Sequence, residues 1–124
     1  YGIERFCEVG LSMITLVNRN YCKKILICLP KQKHPEQFHN KKEETFHILF
    51  GTLSLWLDGE ECQLNVGDVI TIMPGQRHAF VSAEGAILEE ISSTHFKDDS
   101  YYTDTLIMEN NDRKSYVKWV LNNE

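Results

Sequence analysis

The sequence contains no long run of apolar residues. A helix that crosses a membrane needs about 20 of them in succession, and no stretch of the 124 residues approaches that pattern. The opening residues, Tyr1 to Arg5, also contain no apolar core of a signal peptide. We therefore expect a cytoplasmic protein without a membrane partner.

Basic residues are outnumbered, and glycine and proline are scarce. Thirteen lysines and arginines stand against 18 acidic residues, which gives a formal net charge of −5. Proteins that bind nucleic acid usually carry a basic surface, so this balance disfavours a nucleic-acid partner.

Seven glycines and three prolines are too few for a collagen-like or disordered chain. A chain of this length is expected to form one domain around one core.

The four cysteines form no Cys-x-x-Cys pair. Cys22, Cys28 and Cys62 lie in apolar, strand-like runs, where small buried thiols are common. We interpret these three as core residues and predict no disulfide. The chain begins with tyrosine rather than methionine, from which we expect a domain excised from a longer protein.

Apolar residues recur with a period of two along most of the chain, which is typical of strands in a sandwich or barrel. Few segments have a helical period, and the tail from Asn111 to Glu124 fits either a helix or a strand. The pattern predicts eight strands: Ser12 to Val17, Cys22 to Leu29, Thr45 to Phe50, Leu53 to Leu57, Glu61 to Leu64, Asp68 to Met73, Ala79 to Ser82 and Ala86 to Ser92.

Turn residues separate these strands at short intervals. Asp58-Gly59 lies between two alternating runs and predicts a type I′ hairpin, because that turn needs positive φ at both central residues. Gly51, Gly67 and Gly85 mark further turns. Short strands separated by turns at these intervals predict an all-β fold of the up-and-down or jelly-roll type.

Three residues with metal-binding side chains fall at the ends of predicted strands: His39, Glu44 and His78. Imidazole nitrogen and carboxylate oxygen suit zinc, manganese, iron, nickel or copper. A barrel mouth brings strand ends that are distant in sequence close together, so the pattern predicts a divalent metal site. His47 lies one residue off the inward parity of Glu44, and we expect it on the outer face.

Two sequence motifs resemble those of the cupin superfamily. Gln37 to Glu44, followed by Gly51, resembles the first motif, in which His-x-His precedes Glu and then Gly. Gly67 to His78 resembles the second motif, and 15 residues, 52–66, separate the two glycines. The combined spacing is a more specific signal than either motif alone.

The resemblance implies one cupin domain, a double-stranded β-helix or jelly-roll barrel. Its N-terminal strands would occupy residues 1–30, the motifs residues 31–95 and a C-terminal extension residues 96–124. Cupin barrels often pair through sheet edges, so the resemblance also implies a homodimer.

Carried over residue by residue, the resemblance makes His39, Glu44 and His78 metal ligands. Gln37 stands where the first motif has its first histidine, and its amide oxygen would be a weaker fourth ligand than imidazole. His34 would replace it only if a bulge turned that side chain inward.

Two adjacent carboxylates, Glu89 and Glu90, interrupt an apolar strand. Neighbouring strand residues point to opposite faces, so one of the two is expected to point inward. Glu89 shares parity with Ile87 and Ile91, which favours Glu89 if that face lines the barrel. An inward carboxylate near a metal would have a raised pKa and would suit a general base. A solvated strand edge without a catalytic role is the alternative.

Three further segments resemble a particular group within the cupin superfamily. Tyr1 to Phe6, Glu89 to His95 and Asp98 to Tyr102 resemble the C-terminal cupin domain of N-acetylneuraminate (sialic acid) synthase-like proteins. The chain is more distantly similar to metal-dependent D-lyxose isomerases. These resemblances imply a sugar or sugar-acid ligand and a place in carbohydrate biosynthesis.

Several functions are compatible with these resemblances. We favour a sugar-binding or accessory module that is covalently linked to a synthase. The alternative is a metal-dependent sugar isomerase or epimerase, in which the ion stabilises an enediolate while Glu89 or Glu90 moves the proton. A third interpretation is a scaffold that dimerises its parent enzyme.

Overall fold

The computed structural model describes residues 3–110, and nearly all regular structure in them is β-strand. The helix among these residues, α1, is five residues long, and the described part contains no helix long and apolar enough to span a membrane. The all-β prediction is confirmed. The elements in chain order are β1 (Ser12–Asn18), β2 (Tyr21–Cys28), β3 (Lys33–Phe38), β4 (Glu44–Gly51), β5 (Leu53–Leu57), β6 (Glu60–Leu64), β7 (Val69–Ile72), β8 (His78–Val81), β9 (Ala86–Ser93), β10 (Tyr101–Tyr102) and α1 (Thr105–Glu109).

The strands form two five-stranded antiparallel sheets. One has the order β1-β2-β9-β4-β7 and the other β10-β3-β8-β5-β6. Successive strands such as β4 and β5 belong to different sheets, which is the arrangement of a jelly-roll barrel. Alternation along each strand buries one side of each sheet. The largest fully buried apolar side chains are Phe46, Leu26, Ile48, Leu53, Leu55, Ile72 and Leu88.

The interior side of the first sheet changes character along its length. At one end Leu26 of β2, Leu88 of β9 and Ile48 of β4 lie side by side. Two residues further along, Lys24 of β2 pairs with Glu90 of β9, and both side chains are buried. The apolar end of this sheet therefore supplies the core, and the other end places charged groups inside the barrel.

The eight predicted strands are all present, and each end lies within one residue of its prediction. Two further strands were not predicted. β3 mixes Pro35 with polar and charged residues and contains a register shift, so its period of two is broken. β10 has only two residues, too few to show any period. The tail from Asn111 to Glu124 lies outside the described residues.

The cysteines are free thiols, as predicted. Cys22 and Cys28 are buried, Cys62 is half-buried and Cys7 is exposed. Burial raises the pKa of the Cys28 thiol to about 12, so this thiol stays protonated at neutral pH and behaves as a small apolar side chain.

Two glycines with positive φ differ in how tightly they are packed. Gly59 closes the predicted hairpin between β5 and β6 with φ 85°, next to Asp58 with φ 51°, as a type I′ turn requires. Gly51 ends β4 with φ 77°. A Cβ added at Gly51 would lie 2.2 Å from the carbonyl oxygen of Gly85, whereas one at Gly59 would meet no heavy atom of the described residues within 4 Å.

We predict that Gly51→Ala destabilises the fold more than Gly59→Ala. Each variant places an L side chain in the left-handed region, at a cost of about 1–2 kcal/mol, but only Gly51→Ala forces two backbone segments apart, which adds about 1–3 kcal/mol. Urea unfolding of both variants measures the difference. Equal losses of unfolding free energy would contradict the close packing of Gly51.

Candidate metal centre

The three predicted ligands converge inside the barrel. His39 follows β3, Glu44 begins β4 and His78 begins β8. All three side chains are buried, and each offers a ligand atom that lies within 4.8 Å of the other two. Residues that are distant in sequence therefore meet at one point at the polar end of the barrel.

Both imidazole rings present their Nε2 atoms to Glu44. Nε2 of His39 lies 3.4 Å from Oε2 of the carboxylate, and Nε2 of His78 lies 3.1 Å from Oε1. On the other side of each ring, Nδ1 is 2.8 Å from the backbone oxygen of Asp99 for His39 and 3.1 Å from that of Gln76 for His78. A neutral ring that donates its Nδ1–H to a carbonyl keeps a lone pair on Nε2, the arrangement that metal-binding histidines adopt.

The cluster contains buried polar atoms without hydrogen-bond partners. Within the described residues, Oε2 of Glu44 and Nε2 of His78 make no hydrogen bond of normal geometry, although Oε2 lies 3.1 Å from the Lys42 ammonium. A buried polar group without a partner costs about 1–3 kcal/mol. Two imidazole nitrogens and a carboxylate suit divalent zinc, manganese, iron or nickel. These residues therefore fit a metal ion in both donor type and direction.

A buried lysine that the sequence analysis missed extends the cluster. Nζ of Lys42 lies 3.1 Å from Oε2 of Glu44 and 3.5 Å from Oε2 of Glu90. Burial alone would lower the pKa of Lys42, but the two carboxylates outweigh it and raise the pKa. The ammonium therefore bridges the candidate metal ligand and a second buried carboxylate. The available sequence signal was its position two residues before Glu44.

The two buried carboxylates differ in their electrostatics. Burial would raise the pKa of Glu44, but close contacts with His39 and His78 and the charge of Lys42 hold that pKa well below its usual value. Burial raises the pKa of Glu90, and the nearby negative charge of Glu44 raises it further. Glu44 is therefore held as an anion, while Glu90 accepts a proton more readily than an ordinary glutamate.

Strand alternation places Glu90 inside and Glu89 outside. Glu89 shares the outer face with Lys23, 3.1 Å away, and His47, 2.8 Å away. Its hydrogen bond with His47 and its pairing with Lys23 lower its pKa. Glu89 was favoured only if its face lined the barrel, and that condition is not met, because Leu88 and Glu90 line the interior. The outward placement expected for His47 agrees with this geometry.

A bulge in β3 turns both His34 and Gln37 inward. Across β3 and β8, His34 pairs with Phe80 and Gln37 with His78, so three steps on one strand oppose two on the other. Both side chains are buried, and the Gln37 amide donates to Nε2 of His34. Burial lowers the pKa of His34 to about 3, with the charge of His78 contributing, so the ring is neutral. The bulge that the sequence analysis required for an inward His34 is therefore present.

The chain is similar to known proteins in both sequence and fold. A family described as "Cupin domain" matches residues 25–91. D-lyxose ketol-isomerase of Cohnella laeviribosi is 31% identical, with 84% of this chain and 73% of that protein covered. D-lyxose/D-mannose isomerase of Thermosediminibacter oceani is 30% identical, with 86% and 75% covered. L-ribose isomerase of Geodermatophilus obscurus has a similar fold, with a TM-score of 0.72 at 13% identity over 82% of this chain and 75% of that one.

We predict that His34 makes the fold sensitive to mild acid. Its pKa is lower in the folded chain, about 3, than the roughly 6.5 of an unfolded histidine. The unfolded chain therefore binds the proton first, and stability falls as the pH drops below about 6.5, by up to about 1.4 kcal/mol per pH unit. In His34→Gln this contribution is absent, so unfolding free energies measured by urea between pH 7 and pH 4 should decline less steeply. His95→Gln, in a loop, is the control, and a slope in His34→Gln equal to that of the wild type would refute the assignment.

Proposed function

Because the chain belongs to the cupin family, we propose that it is a metal-dependent sugar isomerase that interconverts an aldose and a ketose. His39, Glu44 and His78 hold the ion in this proposal. One observation supports this proposal above all. The buried metal-binding side chains are in contact with a buried Lys42–Glu90 ion pair, because the Lys42 ammonium also lies against Glu44. The sugar isomerases among the relatives support the same reaction class.

A divalent ion bound here would polarise neighbouring carbonyl and hydroxyl oxygens of an open-chain sugar. The chain itself supplies the proton transfer. Glu90 removes the proton from C2 of the aldose and returns it to C1, while a second proton moves from the C2 oxygen to the C1 oxygen. No net oxidation occurs, and no further reactant is needed. A carboxylate with a raised pKa is suited to both halves of this transfer.

Lys42 positions the base. Its ammonium contacts both Glu90 and Glu44, so the general base is held at a fixed place relative to the ligand set. A buried side chain has fewer accessible rotamers than an exposed one, so the base spends more of its time in one orientation. A catalytic group that is held in a fixed orientation lowers the entropic part of the reaction barrier.

Gln37 is the proposed fourth ligand. It is buried on the same inward face as His39, and it pairs across the sheet with His78. In the hydrogen bond with His34, the Gln37 amide N–H group is the donor, which leaves the amide oxygen for another contact. A neutral oxygen ligand gives weaker binding of a transition metal than imidazole does.

We predict a graded effect of ligand substitutions on metal binding. His78→Ala should weaken Zn²⁺ binding by at least about 100-fold, beyond the 10–100-fold typical of losing an outer-shell partner, while the far-UV circular dichroism stays that of a β protein because the core is apolar. Gln37→His should tighten binding. His47→Ala, on the outer face, should leave affinity unchanged. Competition with a chromophoric chelator measures all three. Unchanged affinity in Gln37→His would remove Gln37 from the coordination sphere.

We predict that substitution of Glu90 lowers the isomerase activity and that the same substitution of Glu89 does not. Glu90→Gln removes the proposed base and should lower kcat by about 10²–10⁴-fold, with Zn²⁺ or Mn²⁺ affinity retained. Glu89→Gln changes only the outer face and should keep wild-type turnover. The assay is a panel of aldoses and ketoses, with products resolved by chromatography. A wild-type protein that binds metal but converts no sugar would reject the isomerase.

Such a result would favour the second candidate, a sugar-binding or sugar-acid-binding accessory module. Gln37 in place of histidine is the feature that supports it, because a ligand that binds the metal more weakly is expected where the demand for catalysis is relaxed. Neither the covalent link to a sialic acid synthase nor the homodimer has support among the relatives described above. Both stay predictions from the sequence.

A further inference from the structure

Asp99 is a nearly fully buried acidic residue in the loop between β9 and β10, with 3% of its surface exposed. Its carboxylate accepts hydrogen bonds from three successive backbone N–H groups. Oδ1 accepts from Asn40 at 3.0 Å and Lys41 at 3.2 Å, and Oδ2 accepts from Lys42 at 3.1 Å. Bonds from N–H groups to an ionised carboxylate are about twice as strong as neutral ones. One side chain therefore fixes the segment of residues 40–42, which joins β3 to β4.

The backbone of the same residue holds a candidate metal ligand. Nδ1 of His39 lies 2.8 Å from the carbonyl oxygen of Asp99, and the hydroxyl of Ser100 lies 3.5 Å from the same nitrogen. A carbonyl accepts but cannot donate, so the bond requires the proton on Nδ1. In the neutral ring that binds a metal, Nε2 then carries the lone pair, and this atom faces Glu44.

The carboxylate and the carbonyl oxygen of Asp99 both act on the connection between β3 and β4. His39 precedes residues 40–42, and Lys42 ends them with an ammonium that reaches Glu44 and Glu90. The segment has other attachments: the Gly75 N–H donates to the His39 carbonyl, and the Glu43 N–H donates to the hydroxyl of Ser93. These bonds hold the two residues that flank the segment, whereas the Asp99 carboxylate binds residues 40–42 themselves.

We infer that Asp99 is a positioning residue of the metal centre, which fixes His39 in the Nδ1–H tautomer and sets the place of Lys42. The inference rests on the proposed function, because it gives Asp99 a purpose in metal binding. It extends the site to the loop after β9, which lies about 60 residues beyond His39 in the chain. A carboxylate that only stabilises a turn would leave the tautomer and the metal affinity unaltered.

The test compares Asp99→Ala and Asp99→Asn with Asp98→Ala, a neighbouring and exposed acidic residue. Three quantities are measured: the Zn²⁺ dissociation constant by chelator competition, the ¹⁵N shifts of the His39 ring in metal-free protein, and amide hydrogen exchange at residues 40–42. We predict that Asp99→Ala raises the dissociation constant about 10–100-fold, as losses of outer-shell partners do, mixes the His39 tautomers and speeds exchange. Asp99→Asn keeps one acceptor oxygen and should fall between Asp99→Ala and the wild type. Asp98→Ala should match the wild type in all three.

The outcomes separate this inference from the proposed function. A wild-type protein that does not bind Zn²⁺ would reject the metal centre, and the ring shifts and amide exchange would still decide whether Asp99 positions His39. Wild-type affinity and a single His39 tautomer in Asp99→Ala would overturn the inference. If Asp99→Ala does not fold, Asp99→Asn decides by the same three measurements, since it preserves size and one acceptor.

Discussion

A carboxylate inside a protein needs cations or N–H donors around it, because burial otherwise costs several kcal/mol. Glu44 is 1% exposed, and this constraint shapes the polar end of the barrel. Two imidazole rings approach its oxygens, and the Lys42 ammonium lies 3.1 Å from one of them. Both histidines direct their Nδ1 atoms to backbone carbonyls, so their Nε2 atoms face the carboxylate. A divalent cation among these atoms would bind the two nitrogens and the carboxylate oxygens together.

The topology delivers these groups from distant parts of the chain. β4 and β9 are neighbours in one sheet, while β3 and β8 are neighbours in the other, so the two sheets place their ligands face to face. Register then decides which carboxylate joins the cluster. A slip of one residue in β9 would exchange Glu89 and Glu90 and also turn Leu88 out of the core. The packing of Leu88 therefore guarantees the position of Glu90, which ties the candidate base to the stability of the fold.

The strands with a regular alternation of apolar and polar residues could be predicted from the sequence. The positions of side chains in irregular segments could not. The strands and the convergence of His39, Glu44 and His78 followed from alternation and motif spacing. The choice between Glu89 and Glu90 did not, because alternation shows that they face opposite ways without showing which face is inside. Lys42 lies in an irregular segment, where parity predicts nothing. The inward turn of His34 needed a bulge, and a bulge is visible only once β3 is paired with β8.

The charge balance at the polar end bears on how a metal centre here would act. Lys24 and Lys42 offset Glu44 and Glu90, whereas the carboxylate of the buried Asp99 faces backbone N–H groups and, in the part of the chain that the structure describes, no lysine ammonium. A divalent ion would then leave a net positive charge at this end of the barrel when a neutral sugar binds. Negative charge that develops on the sugar oxygens during proton transfer would supply the missing compensation. In the proposed isomerase this interaction would be stronger in the transition state than in the ground state, and such a difference lowers a barrier. As the proposed fourth ligand, Gln37 would preserve this property, because it would replace one neutral ligand with another, whereas a further buried carboxylate at that position would cancel part of the charge.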